Sequence, residues 1–187
     1  MVNDKYIELI KDKQKESYLR YKSGKPMLAY SSHQPMLMHM LNTIKNGSVL
    51  EFGVGYHSTH IMHMICGLQG RKLLSLETEG AWLAKFISYR SPGHELRIIN
   101  KDLIDPVFED KFAIAFVDGA PAELRQPFLM KIKADYIIVH DTEHYGNNDA
   151  YHYDFSSFNN VLNFGGIPDT TLLTNKELSE EILKMKE

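Results

Sequence analysis

Ser48-Val49-Leu50-Glu51-Phe52-Gly53-Val54-Gly55-Tyr56-His57-Ser58-Thr59 runs from an apolar stretch through a glycine turn into residues suited to open a helix. Val49, Leu50 and Phe52 predict a short buried strand over Ser48–Val54, and a helical stretch follows from Ser58 to Leu68. Gly53 and Gly55 let the backbone approach a ligand closely, and Ser58 or Thr59 is placed to cap the helix. Working outward, Lys72–Glu77 reads as a second strand and Gly80–Tyr89 as a helix built on Ala81, Leu83, Ala84 and Ile87. Ser91-Pro92-Gly93 breaks it, and Leu96–Ile99, Phe112–Val117 and Tyr136–Val139 give three more strands. Pro121–Ile132, with proline near its start, is the helix between the last two. Short apolar strands separated by helical stretches of about 10–15 residues require right-handed crossovers and a parallel sheet buried on both faces. The expected fold class is therefore α/β, doubly wound and mostly parallel. Asn160–Thr174, with Gly165-Gly166 in its middle, supplies an antiparallel edge hairpin.

Upstream, Asp4–Tyr21 alternates apolar and mixed-charge positions as an amphipathic helix with a solvated face. Ser23-Gly24-Lys25-Pro26 is a turn, Gln34–Ile44 a second helix, and Asn46-Gly47 its stop. The reading is one domain over residues 1–187, with N-terminal helices added as a cap (1–46) on an α/β core (47–187). A chain of 187 residues buries enough surface to fold without staples, and its single cysteine, Cys66, rules out a disulfide framework. No apolar run approaches the ~20 residues of a membrane span, and the first residues lack an apolar signal core. Stable membrane insertion is not expected, and the expected compartment is cytoplasmic. A net charge of −3 lacks the basic excess of a nucleic-acid binder. The aromatic and methionine content is compatible with a homodimer.

In open α/β sheets the ligand lies at the carboxyl ends of the strands. A dinucleotide site wants a third glycine where Ser58 stands, and no phosphate-loop lysine follows. Glu51 would repel a phosphate and suits a ligand carrying a positive amino group. Glu77, 24 residues beyond Gly53, is placed to accept bonds from a ribose diol, and Asp102 from an adenine amino group. Glu51, Gly53-x-Gly55, Glu77 and Asp102, in register with Asp118, fit a phosphate-free nucleoside with a zwitterionic tail, S-adenosyl-L-methionine. From Ser48 to Thr174 the arrangement resembles the class I methyltransferases, whose sheet is Rossmann-like. The resemblance implies that Ser58, Thr59 and Asp118 also border the cofactor. It also implies that His33 or Gln34, in Ser31-Ser32-His33-Gln34-Pro35-Met36, reaches its methionine carboxylate.

The fourth strand ends Val117-Asp118-Gly119-Ala120-Pro121 and the fifth Val139-His140-Asp141-Thr142-Glu143-His144. Both ends face one crevice, so Asp118, His140 and Asp141 are the catalytic candidates. Methyl transfer from a sulfonium needs positioning and removal of the acceptor's proton. Either Asp118 or His140 acts as general base, or Asp118 and Asp141, with His140 or Glu143, hold a divalent cation such as Mg or Mn. With Arg125, these strand ends look like those of the glucuronoxylan O-methyltransferases of plant cell walls. His140-Asp141-Thr142-Glu143, an aromatic loop and Pro168-x-Thr170-Thr171-Leu172-Leu173-Thr174-Asn175 are similar to small glycan methyltransferases of large algal DNA viruses. Both resemblances imply a sugar hydroxyl of a glycan as acceptor, and the second a host cytoplasm.

Within the loop Tyr145–Phe158, Tyr151 and Tyr153 are candidates to stack on a sugar, joined by His144 and by Arg125 for an acidic sugar's carboxylate. The loop also reads as a lid or a dimer contact, and Arg125 as a solvated helix arginine. His60 and His63, three apart among Ile61, Met62 and Met64, suit helix packing better than a metal pair. Trp82 reads as core or pocket wall. The competing functions are methylation of a small phenol or amine, a non-catalytic nucleoside-binding module, and an NAD-dependent oxidoreductase, the last disfavoured by Ser58 and Glu51.

Overall fold

In the computed structural model, which describes residues 31–142, 153–166 and 168–184, Glu51 lies between Ser75 and Phe116 in a parallel sheet. Seven strands form it in the order β3-β2-β1-β4-β5-β7-β6. They are β1 (Val49–Phe52), β2 (Leu73–Glu77), β3 (His94–Ile98), β4 (Lys111–Val117), β5 (Lys133–His140), β6 (Asn160–Gly166) and β7 (Asp169–Thr174). The first five pair in parallel, and β7 runs antiparallel between β5 and β6. The doubly wound sheet with its antiparallel edge is as the sequence predicts. The Asp4–Tyr21 helix lies outside the described residues.

Alternate strand residues feed two apolar layers. Val49, Leu73, Ile114, Phe116 and Ile138 pack under α1 (Gln34–Thr43) and α2 (Thr59–Gln69). Leu50, Leu76, Ala115, Val117 and Val139 pack with Phe128 and Leu129 of α4 (Arg125–Lys131). Phe128 also stacks on Phe52, ring centroids 4.2 Å apart, tying α4 to the end of β1.

The helices depart from expectation at their ends. Gly80–Tyr89 splits into one α turn, α3 (Gly80–Leu83), and a 3-10 segment, Ala84–Tyr89. Pro121 stands in extended backbone ahead of a 3-10 turn, Ala122–Leu124, so it does not open α4. Neither Ser58 nor Thr59 caps α2, because both hydroxyls turn down to Glu51. The last described helix is α5 (Glu180–Leu183). Among the described residues, no helix is long and apolar enough to cross a membrane.

Candidate active site

The carboxyl ends of β1 and β4 interlock through glycines. Gly53 sits at φ +94°, and a Cβ there would stand 2.5 Å from the Asp118 carbonyl oxygen and the Gly119 Cα. A Cβ on Gly119 would in turn lie 2.6 Å from the Phe52 ring. The protein's own packing thus already requires glycine at position 53. Gly55, by contrast, borders a cavity of about 690 Å³ at these strand ends, within the usual size of small-molecule sites. The turn is pinned from two sides. Trp82 Nε1 donates to the Val54 carbonyl at 2.7 Å, and Gln34 Nε2 to the His57 carbonyl at 2.9 Å. Trp82 is therefore pocket wall.

Three cofactor candidates lie back from the cavity. Glu51 is wholly buried beneath the turn, its Oε1 accepting from Ser58 Oγ (2.7 Å) and Thr59 Oγ1 (2.9 Å), its Oε2 from Ser75 Oγ. That placement supports the turn and gives Glu51 no open path to a ligand's amino group, which corrects the sequence reading. Burial pushes its carboxyl up to about 7, the three hydroxyl bonds pull it down, and the charge of Asp118 adds to the rise. Glu77, at the end of β2, accepts from the N–H groups of Val54, Thr78 and Glu79. Asp102 is exposed just beyond β3, its N–H held by Asn100 Oδ1.

The three catalytic candidates do converge, around Arg125. Arg125 is buried in α4, where the sequence reading allowed a solvated or substrate-facing side chain. Its Nη2 donates to Asp118 Oδ1 at 2.9 Å and its Nη1 to Asp141 Oδ2 at 2.8 Å. Nε donates to the Gly119 carbonyl at 2.7 Å, and Nη1 also to the His140 carbonyl at 3.1 Å. One planar fork thereby fixes the ends of both strands. Its position as the first residue of α4 is not a pattern that marks it in sequence, since its partners are 6 to 28 residues away.

His140 lies between the carboxylates, Nδ1 3.2 Å from Asp118 Oδ1 and 3.5 Å from Asp141 Oδ1, with Nε2 2.9 Å from Ser32 Oγ. Burial lowers the pKa of this imidazole, but bonding to Asp118 and the two negative charges outweigh it, and the net shift is upward. Asp118 responds in kind. Burial would raise it, and His140, Arg125 and His33 hold it below the usual carboxylate range. His33, packed edge-on to His140, is driven down to about 3, chiefly by burial and by His140, and stays neutral. Asp141 adopts φ +59°, a left-handed conformation that Asp tolerates better than most residues and that marks functional turns.

Asp118, Asp141 and His140 do not fit a divalent cation. The Arg125 guanidinium already bridges the two carboxylates, so an added ion would sit against a fixed positive charge. Donor atoms of His33, Asp118 and His140 lie within 4.8 Å of one another, but there too Asp118 is the guanidinium's partner. Tyr153 is likewise corrected. It is buried, stacked on Phe155, and its hydroxyl donates to the His140 carbonyl at 3.2 Å, so it braces the strand end and presents no ring to a sugar. Glu143, His144 and Tyr151 lie outside the described residues. Nothing in the sequence marks Ser32 as a partner of His140, since only folding brings them together across 108 residues. A second cavity of about 570 Å³ opens at the amino ends of the strands, where Lys72 and Arg97 are already bound to neighbours.

No family model matches the chain, and no curated protein does. Solved structures do. Human methyltransferase-like protein 13 in complex with SAH aligns at TM-score 0.59 and 13% identity, over 86% of this chain and 90% of that one. The O-methyltransferase from Bacillus cereus in complex with SAH aligns at TM-score 0.54 and 14% identity, over the same shares. A S-adenosylmethionine-dependent methyltransferase from Mesorhizobium loti aligns at TM-score 0.41 and 17% identity over 58% of this chain, which spans about half (52%) of that one. Identities this low speak to architecture alone, and the chain shares the doubly wound, Rossmann-like sheet of the two SAH-bound methyltransferases.

Proposed function

We propose that this chain is an S-adenosylmethionine-dependent O-methyltransferase that acts on a sugar hydroxyl of a glycan. The observation that carries the reading is the Asp118–His140 pair at the carboxyl ends of β4 and β5, facing the same cavity as the Gly55 turn. The sugar as acceptor rests on the likeness of the Asp118–Arg125 and His140–Asp141 segments to those of glycan O-methyltransferases.

The cofactor, when bound, supplies an electrophilic methyl group whose leaving group, a neutral thioether, needs no proton. A sugar hydroxyl is a weak nucleophile, so the protein's task is to hold it in line and take its proton. With the Asp118 carboxylate 3.2 Å from Nδ1, the ring hydrogen of neutral His140 belongs on that side, which leaves the lone pair of Nε2 for that proton. Nε2 now lies 2.9 Å from the Ser32 hydroxyl, a partner that the acceptor oxygen displaces when it binds. Asp118 orients the ring and stabilises the imidazolium, and Arg125 helps to hold Asp118 below the usual carboxylate range while fixing Asp141 in place. No divalent ion is needed in this scheme.

His140 works only when neutral. Its pKa is raised above 6.5, so the rate climbs with pH through a value above 6.5. Asp118→Asn removes the largest raising partner and moves that limb to lower pH. His140→Gln is expected to lower kcat by roughly 10²–10⁴-fold while S-adenosylhomocysteine still binds within a few-fold. The test is transfer of labelled methyl to glucuronoxylan and other glycan oligosaccharides, with and without a chelator. Transfer that His140→Gln leaves intact would overturn the base assignment. Loss of all activity on chelation would overturn the metal-free scheme.

A further inference from the structure

A polar track crosses the apolar layer between the sheet and α2. Glu51 and Ser75 are register partners on β1 and β2, so their side chains stand together on one face. His94 pairs with Leu73, two residues before Ser75 and on the same face. Thr59 and His63, four apart on α2, meet the two ends of the track. The contacts are continuous: Ser75 Oγ to Glu51 Oε2, His94 Nε2 to Ser75 Oγ at 2.8 Å, and His63 Nδ1 to His94 Nδ1 at 3.0 Å. Glu51, Ser75 and His94 are buried, while His63 is half-buried and reaches solvent.

The hydrogens of this chain can run in one direction at a time. A charged Glu51 only accepts, so Ser75 spends its single hydrogen on Oε2 and must accept from His94 Nε2–H. Neutral His94 then offers the lone pair of Nδ1, to which His63 Nδ1–H donates. If a proton joins His63 at Nε2, three hops follow: Nδ1–H of His63 to Nδ1 of His94, Nε2–H of His94 to Ser75, and the Ser75 hydrogen to Glu51. Every bond is then reversed, His63 and His94 are both neutral, and one proton has moved from the surface to Glu51. Burial and the neighbouring His63 lower His94 to about 4, so it passes the proton without keeping it.

We propose that His63, His94 and Ser75 form a proton wire that sets the charge of Glu51 and through it the grip of the Gly53–Ser58 turn on the cofactor. The consequence for the cofactor rests on the function proposed above; the wire itself does not. The charge matters because Ser58 and Thr59 both donate to Glu51, and Thr59 Oγ1 also accepts from the Gly55 N–H at 2.9 Å. Bonds to a carboxylate are roughly twice as strong as those to a neutral carboxyl, so protonation loosens the turn that lines the cavity. The other groups facing the track are few. Asp118 from β4 opposes ionisation of Glu51, and Cys66 on α2, its thiol pushed up to about 12, stays neutral beside Arg71. The Tyr89 ring packs tilted against His63, centroids 5.2 Å apart.

Two measurements decide it. Side-chain ¹⁵N NMR of the cofactor-free protein between about pH 5.5 and 8.5 should show neutral His94 changing from the Nδ1–H to the Nε2–H tautomer as Glu51 ionises. Glu51→Gln and Ser75→Ala should each hold His94 in one tautomer throughout. Calorimetry with S-adenosylhomocysteine should show binding weakened several-fold, up to about tenfold, from pH 8 to pH 6, and Glu51→Gln should abolish that dependence. A single His94 tautomer in the wild type, or switching that persists in Ser75→Ala, would overturn the wire. A pH dependence that survives in Glu51→Gln belongs to His140 and would overturn the link to the turn. Failure of S-adenosylhomocysteine to bind at any pH would instead strike the function proposed above, and the tautomer measurement would still stand.

Discussion

Arg125 shows how far single residues can be read from sequence. Its motif position was visible, but its role depends on burial and on partners from three separate segments, Asp118–Gly119, His140–Asp141 and Tyr153. A guanidinium buried between Asp118 and Asp141 neutralises two carboxylates that would otherwise repel each other beside the reacting centre. Arg125→Ala leaves them facing each other unpaired, and a loss of about 3–5 kcal/mol in denaturant unfolding is expected. Arg125→Lys keeps the charge and loses the fork. It should fold and bind S-adenosylhomocysteine, with a clear fall in kcat because His140 is no longer held between two fixed carboxylates. Wild-type kcat in Arg125→Lys would show that charge alone suffices. Glu51 teaches the same lesson from the other side. Its place before the glycines suggested a ligand contact, whereas register with Ser75 and the turn of Ser58 and Thr59 place it in the interior.

At the scale of elements, the central strands β1, β2, β4 and β5 were legible because their runs are largely apolar on both faces. Their order was less so. Nothing in Asn160–Thr174 marks β7, the second strand of the hairpin, as the one that pairs with β5, through Ile137↔Leu173 and His140↔Thr170. Helix ends failed where a polar side chain had a better partner than the backbone, as Ser58 does. The β1 turn carries the sharpest prediction here. Gly53 combines φ +94° with no room for a Cβ against Asp118 and Gly119. Gly53→Ala should cost more than about 2 kcal/mol, read as a lowered midpoint in urea. Gly55→Ala, whose Cβ meets only Ser58 Oγ at 3.5 Å, should leave the midpoint nearly unchanged. Equal effects at the two glycines would mean that the interlock of β1 and β4 is misplaced.

For the whole molecule, fold and function separate along a physical line. The seven-stranded sheet places Gly55, Asp118, His140 and Asp141 around one cavity at its carboxyl edge, as open α/β sheets do. That convergence was legible from the alternation of strands and helices, which sends the carboxyl ends of the parallel strands to one side of the sheet. The absence of a third glycine and of a phosphate-loop lysine favoured a nucleoside without phosphates, and the structural neighbours bound to SAH share the architecture. The acceptor is written in side chains at the mouth of the cavity, which topology does not dictate, and Tyr153 shows that an aromatic near the site is as easily a brace as a platform. The central claim is that this cavity takes S-adenosylmethionine, and calorimetric titration with S-adenosylhomocysteine, with NAD as comparison, tests it most directly. Micromolar binding of S-adenosylhomocysteine and silence from NAD is the predicted result. No heat from S-adenosylhomocysteine, or binding of NAD in its place, would contradict it.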